Sequence, residues 1–331
     1  MTAPPHPYAE LTPDAVLDAV ESSGVRCSGH LLALNSYENR VYQVGLEDAA
    51  PLVVKFYRPE RWSDAAIREE HAFTAELAER DVPVVPPLGD ATGETLRSHA
   101  GWRFALFPRR GGRLVDLDDE ARRRQLGRLL GRLHAVGAAR RFRHRETLDV
   151  ATFGDASLQT LATGEFLPAE LRDSYLSVAG HALERIRACF ARAGTVRALR
   201  LHGDCHAGNL LWSDEAVHLV DLDDCRNGPA VQDLWMLLSG TRETMAQQLG
   251  EILEEYRRFH DFDSRELHLV EALRSLRLLH HAAWLARRWS DPAFPRAFPW
   301  FGSAHYWQEQ VLGLREQLAA MDEGPLELGY W

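Results

Sequence analysis

Residues 201–229 read LHGDCHAGNLLWSDEAVHLVDLDDCRNGP, and most of the chemistry available to this chain is concentrated there. Asp204 is followed five positions later by Asn209, with Gly203 and Gly208 beside them to let the backbone turn tightly. Further on, Asp221 closes the apolar run HLVDL, which reads as a strand. One carboxylate in such a loop can receive a proton from an attacking hydroxyl. An amide oxygen and a second carboxylate are hard ligands that suit Mg2+ carrying nucleotide phosphates. Asp221 is the preferred ligand over Asp223 and Asp224, because it lies nearest the strand. The competing reading is a zinc site, since His202, Asp204 and His206 alternate along a short segment. A zinc hydrolase wants a further partnered histidine motif, and His280-His281 sits in a helical stretch without matching carboxylates. On the first reading His202 packs and hydrogen-bonds to hold its loop.

A second signal lies upstream. Of 38 basic side chains, Lys55 is the single lysine, and all the others are arginine. Lysine is a compact point charge on a thin stem, whereas arginine is a wide planar fork, so a lone lysine marks a place where the fork does not serve. Lys55 lies in PLVVKFYRPE, an apolar run that reads as a strand over 52–57. With VYQVGL (41–46) it predicts a hairpin. SDAAIREEHAFTAELAER (63–80) predicts an amphipathic helix, capped by Ser63 or Asp64, and WRFALFP (102–108) another strand. A first helix is expected over 12–22, with Thr12 as cap and Pro13 in the first turn.

From about residue 118 the pattern turns helical: 118–137, then roughly 168–193, 229–239, 242–260, 264–289 and 303–321, broken by a proline-rich stretch at 290–300. The sequence therefore predicts an α+β fold of two lobes, a small β-rich one over 1–107 and a larger, mainly helical one over 108–331, with a cleft between them. The chain has 331 residues, 45% hydrophobic and 26% charged, with net charge −10, which argues against a surface built to neutralise nucleic-acid phosphates. The N-terminal MTAPPHPYAE has no basic and apolar leader pattern, and no apolar run nears the ~20 residues that span a bilayer. Cys27, Cys189, Cys205 and Cys225 form no CxxC pair, so reduced thiols in a cytoplasmic, monomeric protein are expected.

The spacing from Asp204 to Asn209 matches the HRDxxxxN loop of protein kinases, with Asp221 standing where their DFG aspartate stands. LHGDCHAGNLLW followed by VDLDDCRNGPAVQDLWMLL resembles the kinase fold of the aminoglycoside and choline phosphotransferase superfamily. More narrowly, with LNSYENRVYQV, VVKFYRPERW and FPRRGGR, the chain is similar to the bacterial stress response kinase A family, from about residue 30 to the C-terminal helices. The resemblance implies ATP and Mg2+ as cofactors. It implies Lys55 on the α- and β-phosphates, Glu70 (alternatively Glu69) as its acidic partner, Asp204 as catalytic base, and Asn209 and Asp221 on the metal. NSYENRVY would replace the phosphate-covering glycine loop, with Ser36 contacting ATP; it holds no glycine, a departure from GxGxxG that side-chain hydroxyl and backbone N–H groups must make good. The strand FALFP would lead to a hinge whose backbone near Phe107 meets adenine, and Asp233 would accept bonds from the catalytic-loop backbone. The next helix is expected only eight residues after Asp221, which leaves little room for a phosphorylated activation segment.

The family resemblance implies a Ser/Thr protein kinase of the stress response, capable of autophosphorylation, acting on protein substrates. The wider superfamily includes kinases of choline, homoserine and aminoglycosides, and this alternative stays open. Trp284, Trp289, Trp300, Tyr306 and Trp307 can either line a cage for a quaternary ammonium or form core. A non-catalytic nucleotide-binding regulator would lack the base, the metal ligands or the lysine, and all are present. Cys205 and Cys225 fall near the expected site and read as small packing residues.

Overall fold

The computed structural model describes residues 7–213 and 216–328. It contains two compact units: Met1–Val115, Arg143–Arg145 and Gly208–Asp223 form one, and Asp116–Phe142, Glu146–Ala207 and Asp224–Trp331 the other. The sequence expectation drew one boundary, between 107 and 108. The units interleave instead, because a later hairpin adds its strands to an early one.

The first unit is β-rich. Strands β1 (Cys27–Ala33), β2 (Arg40–Leu46), β3 (Leu52–Phe56), β4 (Arg97–His99) and β5 (Trp102–Pro108) form an antiparallel sheet in the order β1-β2-β3-β5-β4. The expected β2–β3 hairpin is there, in a register that sets Val41 opposite Lys55. Side chains alternate across a strand, and β3 uses both faces. Val54 and Phe56 join Val44, Phe104 and Leu106 in a core with helix α1 (Pro13–Glu21), through its Val16, Ala19 and Val20. Lys55 and Tyr57 point the other way, where Tyr57 packs with Ile67 of helix α2 (Asp64–Glu79) and with Ala105. Both helices start on the hydroxyl caps that sequence suggests: Thr12 Oγ1 accepts from Ala15 N, and Ser63 Oγ from Ala66 N, each at 3.2 Å. A second sheet joins β6 (Arg113–Leu114) to the hairpin of β8 (Leu210–Trp212) and β9 (Val217–Leu219).

The second unit is mainly helical: α3 (Glu120–Gly137), α4 (Ala156–Thr163), α5 (Ala169–Ala193), α6 (Val231–Trp235), α7 (Arg242–Tyr256), α8 (Val270–Arg288), α9 (Ala293–Ala297) and α10 (Ala304–Asp322). Two short strands, β7 (Leu199–Leu201) and β10 (Arg226–Gly228), pair antiparallel. Helix α3 buries Leu126, Leu129, Leu130 and Leu133, the stripe read from sequence. Its Gly127 lets the α7 backbone approach so closely that a Cβ there would stand 2.1 Å from Ile252 O. Two expected helices are shorter than predicted. The stretch 229–239 keeps only α6, because the chain tightens (Leu237 N donates to Leu234 O, 3.1 Å) and then turns at Gly240, whose φ is +92°. The stretch 264–289 begins as a 3-10 turn, Ser264–Leu269, with Asp263 Oδ1 accepting from Arg265 N at 3.0 Å, before α8 starts. Most of the aromatics expected as either cage or core pack on one another: Trp307 is fully buried against Tyr175, Phe301 and Tyr306, and Trp284 stacks edge-on with Phe294 and Phe298. Trp300, at 42% exposure, stands at the edge of this cluster.

Candidate active site

In the β-rich unit, three carboxylates converge on one ammonium. Lys55 Nζ lies 3.4 Å from Glu70 Oε1, 3.2 Å from Asp221 Oδ1 and 2.9 Å from Asp223 Oδ1, with the lysine only 6% exposed. Burial alone would discharge such an amine. The three acids outweigh it, and the Lys55 pKa stands well above its ordinary value. Glu70 comes from α2 and is itself buried; its Oε2 accepts from Arg145 Nη2 at 2.8 Å. Glu69, the alternative partner, faces elsewhere and accepts from the backbone N–H groups of Arg143 and His144, each at 2.8 Å.

Asp223 was weighed in the sequence only as an alternative metal ligand. It is 3% exposed and forms ion pairs with Lys55 and Arg61, while its backbone carbonyl accepts from Arg145 Nη1 at 2.5 Å. Burial pushes its carboxyl up, but Arg61, Lys55 and Arg145 together hold it well below the usual carboxylate range. Sequence reasoning passed over Arg61 and Arg145. Each is one arginine in an arginine-rich chain, and only the fold shows which ones meet a buried acid.

Asn209 and Asp221 flank the β8–β9 hairpin at its open end, where Val220 N donates to Asn209 O at 3.1 Å. Asp221 adopts a left-handed backbone (φ +59°), a strained conformation for a residue with a Cβ, and keeps its side chain 58% exposed while Lys55 anchors one oxygen. An exposed, anchored carboxylate fits Mg2+, which needs only one or two protein ligands and retains waters. Among the described residues no group of three or more His, Cys, Asp or Glu is arranged to hold a metal ion, so the zinc reading finds no site.

The loop 34–39, between β1 and β2, has its own fastenings in place of glycines. Asn39 Oδ1 accepts from Arg58 N at 3.1 Å, Glu38 O accepts from Tyr8 Oη at 3.2 Å, and both Glu38 and Asn39 are buried. Ser36 Oγ donates to Asn39 O at 3.2 Å, within its own loop. Phe107 sits inside β5 opposite Val53, its ring edge-on to His71 at 6.3 Å.

Asp204 belongs to the helical unit, in the loop after β7. Gly203 is obligatory before it: φ is +86°, and a Cβ would stand 2.2 Å from Asp224 O. Asp233, fully buried on α6, accepts from His202 N and Gly203 N, each at 2.8 Å, the loop-holding role expected of it. His134 Nε2 braces the same carboxylate at 3.1 Å and its Nδ1 reaches Tyr256 Oη at 2.8 Å. His202 Nδ1 accepts from Asp204 N at 3.3 Å, so this histidine holds its loop as the sequence suggests. The Asp204 side chain meets two basic groups, Arg277 Nη1 at 2.6 Å and His206 Nε2 at 3.4 Å. Burial would raise its carboxyl; His206 and Arg277 reverse that and hold it far below the usual range. The sequence offered no signal for Arg277. Cys205 and Cys225 are buried and in no disulfide, and burial raises the Cys205 thiol well above its ordinary value.

A family profile described as "Phosphotransferase enzyme family" matches residues 30–270. The stress response kinase A of Escherichia coli (strain K12) is 44% identical over 321 residues, covering 97% of each chain. The chain belongs to the phosphotransferase enzyme family, among the stress response kinase A proteins. Another relative, named serine/threonine protein kinase RdoA, from Salmonella typhimurium (strain LT2), is equally 44% identical over 97% of both chains. Among solved structures, the amicoumacin kinase hAmiN complexed with AMP-PNP, Ca2+ and Ami is similar with a TM-score of 0.71 at 17% identity, over 95% of this chain and 94% of that one. A microcompartment-associated aminopropanol kinase gives 0.69 at 19% identity, over 93% and 97%. These likenesses bear on the fold: a β-rich part with a larger helical part, the class read from sequence. The phosphotransferase has, among the described residues, no helix long and apolar enough to cross a membrane.

Proposed function

We propose that this phosphotransferase uses ATP and Mg2+ to phosphorylate Ser or Thr hydroxyls of protein substrates. The observation that carries the reading is the Lys55 ammonium, buried and aligned by Glu70 while touching Asp221 at the mouth of the β8–β9 hairpin. An amine so fixed is pre-set to meet nucleotide phosphates without reorganising. Asn209 and Asp221 would hold Mg2+, which, bound with ATP, neutralises charge that develops on the transferred phosphoryl group. Asp204 would accept the proton of the acceptor hydroxyl, its loop kept in place by Asp233 and His134. Ser36 and the backbone near Phe107 would serve the nucleotide. Protein acceptors are favoured because a relative 44% identical over 97% of both chains is named serine/threonine protein kinase RdoA.

A second reading, a kinase of a small alcohol, draws on the similar solved structures, an amicoumacin kinase and an aminopropanol kinase. One experiment separates the two. The protein is incubated with labelled ATP and Mg2+ alone, with a protein extract, and with choline, homoserine or aminoglycosides, beside Asp204→Ala as the zero. Label on protein in the wild type, absent from Asp204→Ala, is the expected result. Label confined to a small molecule would replace it by the second reading, and equal rates in both proteins would end the enzymatic one. That Cys27, Cys189, Cys205 and Cys225 form no disulfide supports a reducing, cytoplasmic location.

A further inference from the structure

Arg277 stands where a base should be free. Its Nη1 donates to Asp204 Oδ1 at 2.6 Å, and Met236 Sδ lies 4.0 Å away. A guanidinium bonded to one carboxylate oxygen occupies an acceptor site there and lowers the proton affinity of the carboxylate. Asp204 with Arg277 in this position is a poor acceptor for a hydroxyl proton.

The contact is nevertheless easy to break. The Arg277 side chain is 43% exposed, and an ion pair whose cation is open to water is held only weakly. Its helix surroundings decide what draws it away. One turn along α8, His281 packs on Trp284 with ring centroids 5.5 Å apart; burial and then Arg277 pull its pKa down to about 4, so it is neutral near pH 7. On the other side, His206 Nε2 stands 3.4 Å from Asp204 Oδ2. With His281 neutral, the Arg277 guanidinium is the charge on this side of Asp204 that an acceptor meets, and it repels one with an ammonium next to its hydroxyl. A carboxylate or phosphate next to the hydroxyl offers Arg277 a new partner and leaves Asp204 uncovered.

We propose that Arg277 is an acceptor-recognition residue, capping Asp204 until an acidic group flanking the acceptor Ser or Thr takes over its guanidinium. The proposal rests on the protein-kinase reading above. One ion pair replaces another, so uncapping is coupled to binding of the right acceptor, and acceptors without the anion meet a covered base. Transfer itself is unchanged: the hydroxyl oxygen bonds to the transferred phosphorus, the bond to the leaving nucleoside diphosphate breaks, and the proton goes to Asp204.

The test uses peptides identical but for Glu or Arg residues around one Ser, with labelled ATP and Mg2+. Wild type, Arg277→Gln, Arg277→Lys and Arg277→Glu are compared after their melting temperatures have been matched. The wild type is expected to favour the Glu-flanked peptide about threefold to fivefold in kcat/KM, the worth of one exposed ion pair. Arg277→Gln should lose the preference mainly through KM for peptide, with KM for ATP unchanged; Arg277→Lys should keep its sign, and Arg277→Glu should reverse it. Equal use of both peptides by the wild type, or a preference that survives Arg277→Glu, overturns the assignment to Arg277 and leaves the kinase reading standing. Consumption of ATP with no peptide labelled by any form overturns the protein-kinase reading, and this inference with it.

Discussion

Lys55 shows what a single side chain carries when three acids depend on it. Lys55→Met would leave Glu70 and Asp223 buried with less counter-charge, and breaking a buried pair from one side costs about 3–5 kcal/mol. Chemical denaturation should register that loss. Lys55→Arg keeps the charge and should unfold close to wild type. The wide fork cannot meet both acids and phosphates as one compact amine does, so phosphoryl transfer should fall by at least about a hundredfold. Wild-type transfer by this variant would show that the amine is not special. The lysine was legible because it is unique in the sequence, and Glu70 because it sits on a helix with a readable apolar face. Asp223, Arg61 and Arg145 were not. Their meaning lies in contacts between positions far apart in the chain, such as Arg61 with Asp223, and nothing local distinguishes one arginine from another. Arg277 escaped for the same reason.

Among the elements, long ones announced themselves and short ones did not. Helices α3, α5 and α10 follow runs whose apolar periodicity repeats over several turns. Strand β1 is mostly exposed and lacks an alternating pattern, and β4 and β6 have three and two residues, too few for periodicity to show. Helix packing makes a prediction in which two effects oppose each other. Gly→Ala inside an exposed helix gains about 0.5–1 kcal/mol of propensity, as expected for Gly313 of α10, which has nothing within 4 Å of a new Cβ. At Gly127 the same change drives a methyl to 2.1 Å from the Ile252 carbonyl, and the backbone of α7 has to move. Overpacking of that kind costs about 1–3 kcal/mol, so Gly127→Ala should lower the melting temperature while Gly313→Ala raises it.

Glu266, in the turn before α8, accepts from Val231 N at 2.8 Å where α6 begins, and burial lifts its pKa to about 7. Its folded pKa is raised, so the native state holds a proton that the unfolded chain releases near pH 4.3. That contribution to stability is full below the unfolded value and is lost as pH rises through about 7. Glu266→Gln should flatten the decline, making the protein more stable than wild type at pH 8 by up to about 3 kcal/mol, as read by urea midpoints from pH 4.5 to 8. A parallel decline in both proteins would place the titration elsewhere.

For the whole molecule, the change from a strand-rich start to helices was legible in the sequence, and the interleaving of the units was not. No local pattern shows that residues 208–223 join a unit begun at the N-terminus. Binding of nucleotide and metal gives a measurement at this scale. With Mg2+ and ATP at about a hundred times Kd, stability should rise by about 2.7 kcal/mol, seen as a higher melting temperature. Asp221→Asn should lose most of that rise with Mg2+ present; an undiminished shift would remove Asp221 from the metal site. The arginine-rich composition has a practical side as well. An endoprotease specific for lysine finds one peptide bond to cut in these 331 residues, the one after Lys55. That bond lies in the middle of the sheet, on a strand hydrogen-bonded on both sides. The rate at which the two fragments accumulate is therefore a clock for the opening of β3, kept by a single band on a gel.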